Sequence, residues 1–264
     1  IRPAREESRT VIAELARKKR RRQVLIAAGC MAGLYAAELQ ALPGVDSLLP
    51  TERWGEIAAL VAHLTGTGPD ASSDAPLVAG LSAVNGASAY LKIADGCSAH
   101  CAFCTIPRIK GPYHSVPQSA LLAEARRLVA AGVQEIILVA QDTTFYGHDQ
   151  GEAEGLAGLM EALLTAVPEL PWLRLMYTFP GHITPRLLAV LASAPQVCPY
   201  IDLPLQHAHP ATLKRMGRPA DVTAMRALLH RMRKRIPDLV LRSTFIVGYP
   251  GETEEEFAAL RTFL

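Results

Sequence analysis

The chain has 264 residues, half of them apolar, with 20% charged side chains and a net charge of +2. That is enough apolar material for a real core in one large or two ordinary domains, and the charge balance excludes a chain that is basic throughout in the manner of a nucleic-acid binder. Five cysteines, three of them clustered, do not suit a secreted disulfide frame; they point to a reducing compartment, the cytoplasm, and to a metal or redox site.

The chain starts with Ile1 and stops within a helical pattern at Leu264, as a fragment lacking both ends would. Residues 4–20 place Val11, Ile12, Leu15 and Ala16 on one helical face. The basic run RKKRRR (17–22) precedes VLIAAGCMAGLYAA, which imitates a secretory signal, but an apolar run of about 14 residues is too short to cross a membrane. It reads better as a buried strand (23–29) followed by a helix (32–42) that stops at Pro43–Gly44. VDSLL (45–49) is a further strand, and 52–64 a further helix. A partial α/β domain is therefore expected over 1–64, a Gly/Ser/Asp/Pro-rich linker over 65–87, and a second domain over 88–264.

In the second domain strands are expected at 90–94, 135–141, 173–179, 200–206 and 239–248, with a helix after each. Gly132 sits where a helix C-terminal cap belongs, Thr184–Pro185 and Asp221 open helices, and Thr253 with Glu256 makes a capping box. Alternating strand and helix units imply a parallel sheet with right-handed crossovers, and the near-continuous apolar strands imply burial on both faces. A whole or partial barrel and an open doubly wound sheet both fit. In either, functional groups gather at the C-terminal ends of the strands. Trp54 and Trp172 read as core.

GCSAHCAFCTIP (96–107) follows the first strand of this domain and carries Cys97, Cys101 and Cys104 in the spacing Cys-x3-Cys-x2-Cys. A [4Fe–4S] cluster usually takes four cysteines. Three would leave one iron open, and an open position is what a catalytic metal site needs and a structural one avoids. Structural zinc completed by His100 or His114 is the competing reading, although no second ligand pair is present. The basic runs RKKRRR and RMRKR (231–235) suit either phosphate contact or a solvated helix face, so nucleic-acid contact stays open.

The cysteine spacing, with Phe103 just before the last thiol, resembles the radical S-adenosylmethionine superfamily. YLKIADGCSAHCAFCTIPRIKG, ILVAQDTTFYG, LPLQHAHPATLKRMGRP and STFIVGYPGETEEEF resemble its methylthiotransferase family, in the RimO branch rather than the tRNA-modifying MiaB branch. AQDT and LPLQHAH stand where the MiaB branch tends to have GQNV and LPVQSGS. The resemblance implies an N-terminal α/β methylthiotransferase domain, here partial, followed by a partial (β/α)6 radical SAM barrel that lacks its last strand and the TRAM domain. It implies a transferase that methylthiolates the β-carbon of an aspartate in the small-subunit ribosomal protein S-twelve, using S-adenosylmethionine, two [4Fe–4S] clusters in the intact protein and an electron donor such as a flavodoxin. Cys97, Cys101 and Cys104 would hold the radical-generating cluster, and Cys30 in AAGCMAG one corner of the auxiliary cluster, whose two other cysteines this sequence lacks. With Cys30 alone, impaired sulfur insertion is expected. Phe103, Gln141, Asp142, Gln206, Arg242 and Gly248 are the implied cosubstrate contacts. His207 and His209 are assigned no role. The alternatives are the tRNA branch and a non-catalytic zinc- or cluster-binding module.

Overall fold

The computed structural model describes residues 2–67 and 82–264. The greater part of the expected linker lies outside the described residues. The chain divides into two compact units, Ile1–Ala75 with Thr105–Gly111, and Pro76–Cys104 with Pro112–Leu264.

The first unit opens with helix α1 (Arg2–Lys18), then strand β1 (Ile26–Ala28), short helices α2 (Cys30–Leu34) and α3 (Ala36–Gln40), strand β2 (Ser47–Leu49), and a 3-10 turn leading into α4 (Ile57–Thr65). β1 and β2 pair in parallel, Ile26 opposite Ser47. The Asp46 carboxylate accepts the Leu25 N–H at 2.6 Å and Lys19 Nζ at 2.7 Å, and the two together hold its pKa below the usual carboxylate range. The expected single helix over 32–42 breaks in two at Tyr35, whose φ of −131° is not helical. Trp54, expected in the core, is exposed on the 3-10 turn. Val11 and Leu15, the apolar stripe of α1, are also exposed, while Ile12 packs on the small core of Ala27, Ala32 and Leu39. Thr105–Gly111, expected within the second domain, belongs to this unit through helix α5 (Ile106–Lys110), which packs on α2 and the 3-10 turn.

The second unit holds a six-stranded sheet. Its strands are β3 (Ser82–Asn85), β4 (Ser88–Lys92), β7 (Glu135–Val139), β8 (Trp172–Leu175), β9 (Val197–Asp202) and β10 (Val240–Arg242), while β5 (Ala94–Asp95) and β6 (His114–Ser115) form a separate antiparallel pair. The order is β10-β9-β8-β7-β4-β3, parallel except for the β3–β4 hairpin. β3 lies in the segment expected as linker. Residues 82–85 pair with 88–91 because Asn85 to Ser88 forms a tight turn through Gly86, whose φ is 62°.

The helices are α6 (Gln118–Ala130), α7 (Gly155–Ala166), α8 (Pro185–Ser193), α9 (Pro210–Arg215), α10 (Val222–Arg235) and α11 (Glu254–Phe263). The expected caps form: Thr184 accepts from Leu187 N at 3.1 Å, Asp221 from Ala224 N at 2.8 Å, and Thr253 with Glu256 closes the capping box. No strand order reversal occurs among the five parallel strands, so this is a singly wound, barrel-like sheet rather than a doubly wound one. Right-handed crossovers between sequential neighbours put their helices on one face. The strands show it: Leu91, Leu138 and Leu173 are fully buried against the helices, whereas Tyr90 and Trp172, on the opposite pleat, are exposed. Ile137, on the same pleat as Tyr90, is buried, so the second face is covered only in part; Trp172 in the core is corrected.

Candidate functional site

Asp95 ends β5, and its carboxylate accepts the N–H of Gly96, whose φ of 72° turns the chain into the cysteine loop. The loop is held at several points. Cys97 Sγ accepts the Ala99 N–H at 3.4 Å, Ser98 Oγ accepts the Tyr113 N–H at 3.1 Å, and Cys104 N donates to Cys101 O at 3.0 Å. Ala102 N donates to Met216 O at 2.9 Å. All three thiols are free and half-buried. Burial pushes the Cys97 thiol up, with Asp142, Cys101 and Cys104 adding to the shift and the Ala99 N–H opposing it. Among the described residues no group of three or more His, Cys, Asp or Glu converges to hold one metal ion. Thiolates that each bind a different iron of one cluster have no need to converge.

The loop borders a cavity of about 410 Å3 whose other walls come from Tyr113 before β6, from Asp142 and Phe145 after β7, from Phe179 and His182 after β8, and from Gly217 and Pro219 after α9. Asp142, buried, accepts Thr144 Oγ1 at 2.5 Å and faces His182 Nδ1 at 2.9 Å. Tyr113 donates its hydroxyl to Asp142 O at 2.8 Å, and burial pushes that phenol far up. Flat rings line the space. Phe145 stacks on His148 at 4.8 Å, Phe179 stacks on His182 at 4.9 Å, and Tyr113 meets Phe145 edge-on. The cavity therefore offers the thiols of Cys97 and Cys101, with Cys104 further along the same loop, a buried carboxylate acceptor and flat apolar rings.

Of the residues expected to contact a cosubstrate, only Asp142 lines this cavity. Phe103 and Gln141 are exposed elsewhere on the loop and strand end. Gln206 sits just past β9 with φ of 70°; its N–H donates to Thr244 O and its carbonyl accepts from Ile246 N. Tyr177, past β8, has φ of 57°, and these two are the only non-glycine residues with positive φ among those described. Backbone strain at two neighbouring strand ends is a functional signature. Arg242 meets the chain's own Asp202 at 3.2 Å. Gly248, with φ of 68°, has nothing within 4 Å of where a Cβ would stand. His207 is buried with Nε2 3.1 Å from Glu252. Cys30 is exposed at the start of α2, with Thr51 Oγ1 4.0 Å from its sulfur. Tyr113, Phe145, Phe179, His182 and Gly217 escaped the sequence reading. FYG and YTFPGH, polar and aromatic stretches just after β7 and β8, were the signal for them.

The fold and the cysteine loop define a class. The model for the Radical SAM superfamily matches residues 91–264, and the chain belongs to that superfamily. Among curated relatives, the chain is 47% identical over its whole length to the ribosomal protein uS12 methylthiotransferase RimO of Chloroflexus aurantiacus, of which it covers 63%. It is 46% identical to the protein of the same name from a Roseiflexus species, covering 61%, and 43% identical to that of Moorella thermoacetica, covering 62%. The chain spans about three fifths of the length of these relatives. Among solved structures, the cobalamin-dependent S-adenosylmethionine radical enzyme OxsB aligns over 97% of this chain and 45% of its own, at TM-score 0.60 and 13% identity. The radical S-adenosylmethionine methyltransferase TsrM from Kitasatospora setae aligns over 66% of this chain and 34% of its own, at TM-score 0.53 and 20% identity. Both share the fold. Among the described residues, no helix is long and apolar enough to cross a membrane.

Proposed function

We propose that this chain carries the radical-generating core of a methylthiotransferase that modifies an aspartate of ribosomal protein uS12, in the cytoplasm, with a flavodoxin-like electron donor. The observation that carries the reading is one loop presenting Cys97, Cys101 and Cys104 beside a cavity with a carboxylate acceptor and stacked rings. The 41–47% identity to relatives named for this activity supports the substrate.

The donor set fits a [4Fe–4S] cluster with one open iron, since one loop carries three free thiols and a cavity of ligand size adjoins two of them, Cys97 and Cys101. Bound there, cluster and S-adenosylmethionine would supply one-electron cleavage of the sulfonium and so a hydrogen-abstracting radical. The protein's part is orientation and exclusion of water. Asp142 is an acceptor suited to an ammonium group, held in place by Thr144 and His182. Phe145 and Phe179 line the cavity and are suited to border an apolar or planar group. Phe103, Gln141, Gln206, Arg242 and Gly248 complete the proposed contact set on the family resemblance, and none of them lines this cavity. Cys30 is proposed as one ligand of an auxiliary cluster, which needs two further thiolates.

Anaerobic reconstitution with iron and sulfide, then dithionite and S-adenosylmethionine, tests the reading. The expected result is a brown protein that releases 5′-deoxyadenosine, with iron uptake lost in Cys97→Ser and kept in Cys198→Ser. Colourless protein with stoichiometric zinc overturns it. Methylthiolation of tRNA, with none on the ribosomal protein, moves the substrate to the tRNA branch.

A further inference from the structure

The cysteine loop is gripped from across the sheet by the turn that ends α9. Gly217 N donates to Lys214 O at 3.1 Å and Arg218 N to Leu213 O at 2.9 Å, a Schellman cap with Gly217 left-handed at φ 68°. This cap fixes the direction in which the next side chain leaves the helix. The Arg218 guanidinium reaches Cys101 Sγ with Nη1 at 3.8 Å, donates Nη2 to Pro204 O at 2.9 Å, and lies 4.0 Å over the Phe179 ring. Its Nε is buried and has no partner among the described residues. The cation is thus anchored by a carbonyl and an aromatic face, aimed at a thiol, and has a buried donor to spare. Among the described residues no carboxylate pairs with it, and its charge is directed at the cysteine loop.

We propose that Arg218 is a positioning residue, which holds the Cys101 sulfur in ligating orientation and raises the reduction potential of the cluster bound there. This rests on the cluster reading above. A cluster on thiolates is anionic, and the potentials of such clusters are set by net charge and by hydrogen bonds to the sulfurs. Arginine suits the task, because its planar fork bonds two partners at once and stays charged. Removal of the cation leaves the reduced, more negative state less stabilised.

The test uses the 264-residue chain, reconstituted anaerobically, with Arg218→Met and Arg218→Lys beside the parent. Iron per chain is measured, and the midpoint potential is followed by electron paramagnetic resonance without S-adenosylmethionine. The expected result for Arg218→Met is a potential lower by at least a tenfold loss in the reduction equilibrium, about 59 mV for one electron. Arg218→Lys should recover part of the loss. If Arg218→Met fails to fold, Arg218→Lys decides, its potential lying below the parent's if the inference holds. A cluster-loaded parent whose variants share its potential overturns this inference alone. A parent that takes up no cluster overturns the enzymatic reading and this inference with it.

Discussion

Gly217→Ala is the most discriminating substitution in the second unit. A Cβ there lies 2.6 Å from the carbonyl oxygen of His100, in the middle of the cysteine loop, where ordinary contact begins at 3.4 Å. Two costs combine. Alanine in the left-handed region costs roughly 1–2 kcal/mol, and forcing an atom into a packed contact typically costs about 1–3 kcal/mol more. For a unit of this size the sum corresponds to a fall in Tm on the order of 10 °C. The obstructing atom is backbone, so relief requires the loop itself to move, and iron uptake should fall together with stability. Gly132→Ala is the control. Its φ is 91°, yet nothing lies within 4 Å of the new Cβ, so it should show the conformational cost alone, roughly 1–2 kcal/mol, with iron uptake unchanged. Thermal melts followed by circular dichroism and iron analysis after reconstitution read both effects. A Gly217→Ala protein that melts with the Gly132→Ala protein and loads iron like the parent refutes the reasoning.

The Glu256 carboxyl, held down to about 2 mainly by the Arg215 guanidinium, ties α11 to α9. Its stabilisation is complete above the ordinary carboxylate pKa of about 4.3 and is lost as pH falls from there toward the folded-state value; a carboxyl resonance titrating at the ordinary value would contradict this. Leu138→Ala, at a fully buried position in β7, should cost about 2–5 kcal/mol in urea unfolding, and a loss under about 1 kcal/mol would show that the site collapses around the change.

What the sequence showed was local. Thr184, Asp221 and Thr253 announce their helices because a cap is made within four residues of itself. The cysteine spacing is equally local. Strand ends were misjudged because apolar runs continue past the ladder: LRLMYTF reads as one strand, but pairing stops at Leu175 and Tyr177 turns to φ 57°. Trp54 and Trp172 are exposed because size says nothing of which pleat or turn a ring occupies. The Arg218 contact joins positions 117 residues apart, and no periodicity records such a meeting. Tyr113 and His182 likewise acquire their partners only through the crossovers.

The sheet's sequential order also governs how it can be assembled. After the β3–β4 hairpin, every later strand docks beside the one made just before it, from β7 on β4 to β10 on β9. During synthesis from the N-terminus each β/α unit therefore finds its template already in place, with no waiting edge to be filled by a distant segment. The growing edge migrates one strand at a time.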